Sequence, residues 1–182
     1  NSDISFATPW NNPPGNPNQA STDLHNNCTN NGLATTPHTG NGYAGFVTYT
    51  NGQEYREYVQ SPLSQPLVAG QCYQASMYAV VSETSNYTVD SIGIGFSNGA
   101  LLQGIPGGTG LPGEGLILGS AQVSNDPTVD LTSDQWQLIT GQFIAVGGED
   151  YITIGNFTPD ANLTPNQIGP IASFGIYYVD DI

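Results

Sequence analysis

Apolar side chains in this chain recur at every second position and nowhere at sustained helical spacing, so strands are what it can form. Gln71–Ser82 (QCYQASMYAVVS) is the clearest case. Tyr73, Ala75, Met77, Ala79 and Val81 fall on one face, and Gln74, Ser76 and Tyr78 on the other. Val89–Ser97 repeats the pattern with Ile92, Ile94 and Phe96. Gly45–Thr50 and Tyr55–Ser61 flank Asn51-Gly52, a hairpin signal. Gln135–Val146 is a long strand whose central Gly141 reads as a bulge, and Tyr151–Phe157 and Phe174–Ile182 complete the set. About eight short strands, separated by turns drawn from 23 Gly and 13 Pro, define an all-β sandwich or barrel. Pro9–Thr39 and Gln103–Gly115 read as a long N-terminal and a long central loop. With no repeat, linker or charge block, residues 1–182 read as a single domain.

The charge balance narrows function. Arg56 is the one basic residue besides two His, against 15 acids, for a net charge of −14. Nothing in such a chain neutralises phosphates, which excludes nucleic acid and disfavours an anionic membrane surface. No run of 18 apolar residues exists, so no membrane insertion is expected. The natural counter-charge is a divalent cation, with Ca²⁺ the candidate cofactor; the plainer reading is a soluble acidic surface. The chain begins at Asn1 without a Met or an apolar leader, and reads as a mature or trimmed segment.

Cys28 and Cys72 are the only cysteines. They either close a disulfide, worth roughly 3–4 kcal/mol for a loop of ~45 residues, or remain free thiols. His25 and His38 lie in Asn/Thr-rich segments, and neither a GxSxG elbow nor an HExxH pair accompanies them. The acids fall mostly at turns, not as a buried pair, so no enzyme is expected.

The segments Trp10–Pro13 (WNNP), Thr22–Cys28 (TDLHNNC), Asn41–Phe46 (NGYAGF), Leu67–Tyr73 (LVAGQCY), Trp136–Gln142 (WQLITGQ) and Tyr177–Ile182 (YYVDDI) follow a recognisable order. Together they resemble a domain of large exported surface proteins of gliding-type bacteria, associated with type IX secretion or OmpA-like modules. More distantly the chain is similar to the galactose-binding-like jelly roll of family 4/9-type carbohydrate-binding modules. The resemblance implies a jelly-roll β-sandwich, an extracellular location and an adhesive or binding role. It also implies calcium ligation by one member of the closing Asp180-Asp181 pair. The two side chains are expected on opposite faces of the last strand. Relatives open with a Glu- and Cys-bearing strand that Asn1–Phe6 lacks. A sheet short of that strand would pair with an identical subunit.

Aromatic rings can stack on sugars, and Tyr78, Tyr87 and Trp10 are the candidate ligand contacts. Alternation places Tyr78 outward, Tyr87 sits in a predicted loop, and Trp10 lies in the irregular N-terminal segment. The expected function is a non-catalytic extracellular domain that binds polysaccharide. The alternative is a structural subunit of a fibre or sheath.

Overall fold

The computed structural model describes residues 2–14, 22–26, 33–102, 120–128, 131–132 and 135–182. Its strands are β1 (Ser2–Asp3), β2 (Asp23–Asn26), β3 (Gly42–Thr50), β4 (Val59–Pro62), β5 (Cys72–Val81) and β6 (Tyr87–Thr88). They continue with β7 (Gly93–Ser97), β8 (Val123–Ser124), β9 (Gln137–Ile144), β10 (Tyr151–Gly155), β11 (Asn166–Gln167) and β12 (Phe174–Asp180). A six-stranded sheet runs β1-β2-β3-β12-β5-β9, and a four-stranded sheet runs β4-β10-β7-β8. β6 and β11 form a small third pair. All pairings are antiparallel.

The longer strands shuttle between the two large sheets. β3, β5, β9 and β12 occupy one, with β1 and β2 at its edge, and β4, β7, β8 and β10 the other, with the last strand, β12, beside β3. That is jelly-roll connectivity, and the expected all-β sandwich holds. The period-two pattern explains the layers. Met77, Ala79 and Val81 of β5 and Tyr177 and Val179 of β12 point inward, where Val59, Ile94 and Ile154 meet them from the opposite sheet. Each such burial is worth ~1.5–3 kcal/mol, which makes this interlayer the main source of stability.

Polar groups stitch the layers together. The Tyr58 hydroxyl donates to the Asn156 carbonyl at 2.6 Å, and Asn156 Nδ2 donates to the Thr48 carbonyl at 2.9 Å. Arg56 is 0% exposed and pairs with Asp160, with further bonds from its guanidinium to the carbonyls of Tyr55 and Thr158.

Three local expectations are corrected. The Asn51-Gly52 turn forms, with Gly52 at φ +77°, but it does not make a hairpin between β3 and β4. Residues 55–58 leave the sheet to bury Arg56 and Tyr58, and only Val59–Pro62 pairs, in the other layer. Gly141 sits in unbroken register opposite Ala75, not in a bulge. A Cβ there would stand 3.1 Å from Val123, so the glycine serves the close approach of β8. The bulge lies instead at Gly175/Ile176 of β12. Finally, the edge beside β3 is not bare, since β2 pairs with β3 and β1 with β2. Among the described residues, the opposite edge strand β9 pairs with β5 alone. No helix among the described residues is long and apolar enough to cross a membrane.

Candidate functional site

The same alternation that sends Met77, Tyr177 and Ala44 inward turns Tyr43, Tyr178, Val80 and Tyr78 to the outer face of the six-stranded sheet. There Tyr43, Val80 and Tyr178 form a second apolar cluster, flanked by Leu33, Trp136 and Ile176. His25 of β2 stacks on Tyr43 with centroids 5.1 Å apart and meets Tyr178 edge-on at 5.2 Å. Gly45 makes this possible: a Cβ at that position would lie 2.8 Å from His25 and 2.9 Å from Tyr178.

Part of this face is crossed by a strap, residues 33–39, tied down at both ends by acids. Glu83 accepts from the backbone N–H groups of Ala34 (2.5 Å) and Thr35 (3.2 Å) and from the Thr35 hydroxyl (2.8 Å). Tyr43 and Trp136 donate to the carbonyls of Thr35 and Thr36. At the far end Asp180 accepts from the N–H groups of His38 (2.9 Å) and Thr39 (3.2 Å). Asp181 holds His38 Nδ1 and the Thr39 hydroxyl, each at 2.6 Å. The His38 ring lies flat on Tyr78, with centroids 3.6 Å apart.

These charges are tuned by their surroundings. Burial pushes Glu83 upward, but hydrogen bonds from its own N–H, Thr35 and Ala34 outweigh this and leave it below its ordinary value. The bonds from His38 and Thr39 hold Asp181 low, whereas burial raises Asp180 despite its backbone bonds. Burial lifts the Tyr43 hydroxyl to about 12, with Tyr178 and Glu83 adding to the effect. Burial likewise lowers His25, against the pull of Asp23 and Glu83, so its imidazole is neutral at physiological pH.

Beside the strap a cleft of about 400 Å³ opens on the outer face, lined among others by Asp23, His25, Val47, Glu57, Thr84 and Tyr178. Glu57 is fixed by the Val47 N–H and the Tyr55 hydroxyl. Two carboxylates, an imidazole and a phenol thus surround an open space. His25 is 4% exposed, and its Nδ1 has no hydrogen-bond partner.

The sequence-derived candidates are only partly gathered here. Tyr78 is outward and half-buried as alternation requires, but its ring face is taken by His38. Tyr87 is 7% exposed, packed edge-on against Tyr49 in the core, which corrects the expectation of exposure: the two-residue strand β6 folds back under β12. Trp10 is half-buried against the core at a separate cavity of about 280 Å³ between the sheets, whose rim carries Asp180 and Asp181.

Asp180 and Asp181 do not point to opposite faces. β12 ends at Asp180, and Asp181 adopts φ +50°, which brings both carboxylates to the strap. The pair does not fit the calcium role. Ca²⁺ takes about 6–8 oxygen ligands. Here Asp180 already accepts from the N–H groups of His38, Thr39 and Asp181, and Asp181 is engaged by His38 Nδ1 and the Thr39 hydroxyl, far short of an oxygen shell. Among the described residues no group of three or more His, Cys, Asp or Glu is placed to hold a metal. Cys72 is free and exposed at the start of β5, while Cys28 lies outside the described residues.

Asp23 and Glu57 carried no signal as binding residues in the sequence. They come from two separate segments, and only the sheet brings them to one cleft.

No protein-family model matches the chain, and no curated protein does. Among solved structures, it is similar to the Clostridium thermocellum endo-1,4-β-D-xylanase CBM22-1–GH10 modules, complexed with xylohexaose. Identity is 14% and TM-score 0.47, over 94% of this chain and 25% of that one. It is also similar to the K2 cleaved adhesin domain of Lys-gingipain, at 12% identity and TM-score 0.45, over 99% of this chain and 95% of that one. This chain therefore spans a quarter of the xylanase chain.

Proposed function

We propose that this jelly roll is a non-catalytic, extracellular glycan-binding domain, and that its ligand lies in the cleft on the outer face of the six-stranded sheet. The observation that carries the reading is the cleft itself: Asp23 and Glu57 offer acceptors for sugar hydroxyls, and the half-buried Leu33, Val47 and Ile176 offer apolar contact. Buried apolar groups with a few converging polar ones suit an uncharged or cationic polyhydroxyl ligand and repel an anionic one. Isothermal titration of the protein with soluble polysaccharides and their oligomers tests it. Saturable binding that weakens in Asp23→Ala is expected. Flat titrations across glycans of every charge class would refute the reading.

A second reading, self-assembly into a fibre, rests on β9. Among the described residues this eight-residue strand is the outermost of its sheet; it exposes Leu138 and Ile144, and Val146 follows at 87% exposure. A row of open edge groups beside apolar side chains is a template for strand addition. Light scattering across a concentration series decides it: growth in mass supports assembly through β9, and a constant monomer mass rules it out.

A further inference from the structure

We infer that the outer-face cleft is selective for an amine-bearing glycan, a polymer or oligomer of amino sugars carrying free ammonium groups; this rests on the glycan-binding reading above. Two independent observations converge. The first is the charge of the lining: Asp23 and Glu57 border the cleft, and no Lys or Arg does. The sole Arg or Lys of the whole chain, Arg56, is 0% exposed and engaged with Asp160. No cation of that kind on the surface offsets the field at the cleft, so a uronate or sulfated sugar meets repulsion and an ammonium meets attraction.

The second observation is His25. It lines the same cleft, is 4% exposed, and its Nδ1 lacks a partner within the protein. A buried polar atom left unsatisfied is costly, and a ligand that supplies its partner removes that cost. An ammonium brings three hydrogens from one atom, enough to reach an imidazole lone pair and a carboxylate together, which a single sugar hydroxyl cannot do. Tyr178, 2% exposed and edge-on to His25, backs the imidazole at the cleft wall. An N-acetylated sugar keeps the ring but loses the charge and two of the three hydrogens.

The test is calorimetric titration of the full chain with glucosamine oligomers, their fully N-acetylated counterparts and a neutral xylan oligomer, at low and at high salt. The glucosamine oligomer should bind at least roughly tenfold more tightly than the acetylated one, the scale of one charge-assisted contact, and should weaken as salt rises. Asp23→Asn and Glu57→Gln, checked for folding by circular dichroism, should erase most of that preference. Equal affinity for acetylated or neutral oligomers would overturn amine selectivity while leaving glycan binding in place. Amine binding that persists undiminished in a folded double variant would show adsorption on the acidic surface and overturn the site. No binding of any oligomer would overturn both readings.

Discussion

Close backbone approach decides the behaviour of several single residues. At Gly155 an added Cβ would lie 2.2 Å from the Tyr58 ring, which is itself fully buried and bonded to the adjacent Asn156 carbonyl. The ring is held between Phe157 and its hydroxyl bond, so Gly155→Ala should destabilise the fold by about 1–3 kcal/mol, read from the urea midpoint. Tyr58→Phe keeps the ring but takes the hydroxyl from the buried Asn156 carbonyl, and should cost roughly 1–3 kcal/mol by the same measurement. Cys72 supplies a second residue-scale test. It is exposed and free at the mouth of β5. The native protein should therefore react with a water-soluble thiol reagent without unfolding. A native protein inert to the reagent, and reactive only after reduction, would establish the disulfide alternative.

The strap over residues 33–39 behaves as an element in its own right, because acids anchor both of its ends. Glu83 and Asp181 are both held below their ordinary values of 4.5 and 3.8 by the hydrogen bonds they accept. Each binds protons more weakly in the folded chain than in the unfolded one. Their contribution is thus present above the unfolded value and is lost as pH falls through the folded one. Asp180, raised by burial, acts with the opposite sign: its folded form takes up a proton first, so stability gains slightly on acidification through its folded value before the other two give way. The strap should hold at neutral pH and detach below about pH 4. Trp136, bonded to the Thr36 carbonyl, reports this through its fluorescence. Glu83→Gln should flatten the acid transition. A chelator at neutral pH should leave the Trp136 signal unchanged, since protein donors from His38, Thr39 and Asp181 already engage the Asp pair.

At the scale of the whole molecule, the net charge of −14 is spread over a surface on which no Arg or Lys is exposed. Like charges repel most in the compact state. Added salt should raise the melting temperature, by screening charges beyond a Debye length of about 10 Å at 0.1 M. A melting temperature that falls or stays flat between low and moderate salt would show that local pairs such as Arg56–Asp160 dominate instead. The same field is what a ligand meets on approach, so stability and binding should respond to salt in opposite directions.

Much of the fold was legible in the residues. Period-two alternation in Gln71–Ser82 and Val89–Ser97 determined which side chains face inward, because a pleated strand leaves no other choice. The acidic composition determined which ligand classes are repelled. Alternation also placed Tyr78 outward, but not the ring that covers it: His38 arrives from forty residues away through bonds to Asp180 and Asp181. Tyr87 looked exposed because its neighbours are polar, and only the return of β6 beneath β12 buries it. The candidate site is the extreme case. Asp23 and His25 of β2, Glu57 of the β3–β4 connection and Tyr178 of β12 come from three segments far apart in sequence, and strand order alone makes those segments neighbours. Local pattern sets which face a residue occupies; which residues share that face is decided by pairing between distant strands, and that exists only in the tertiary structure.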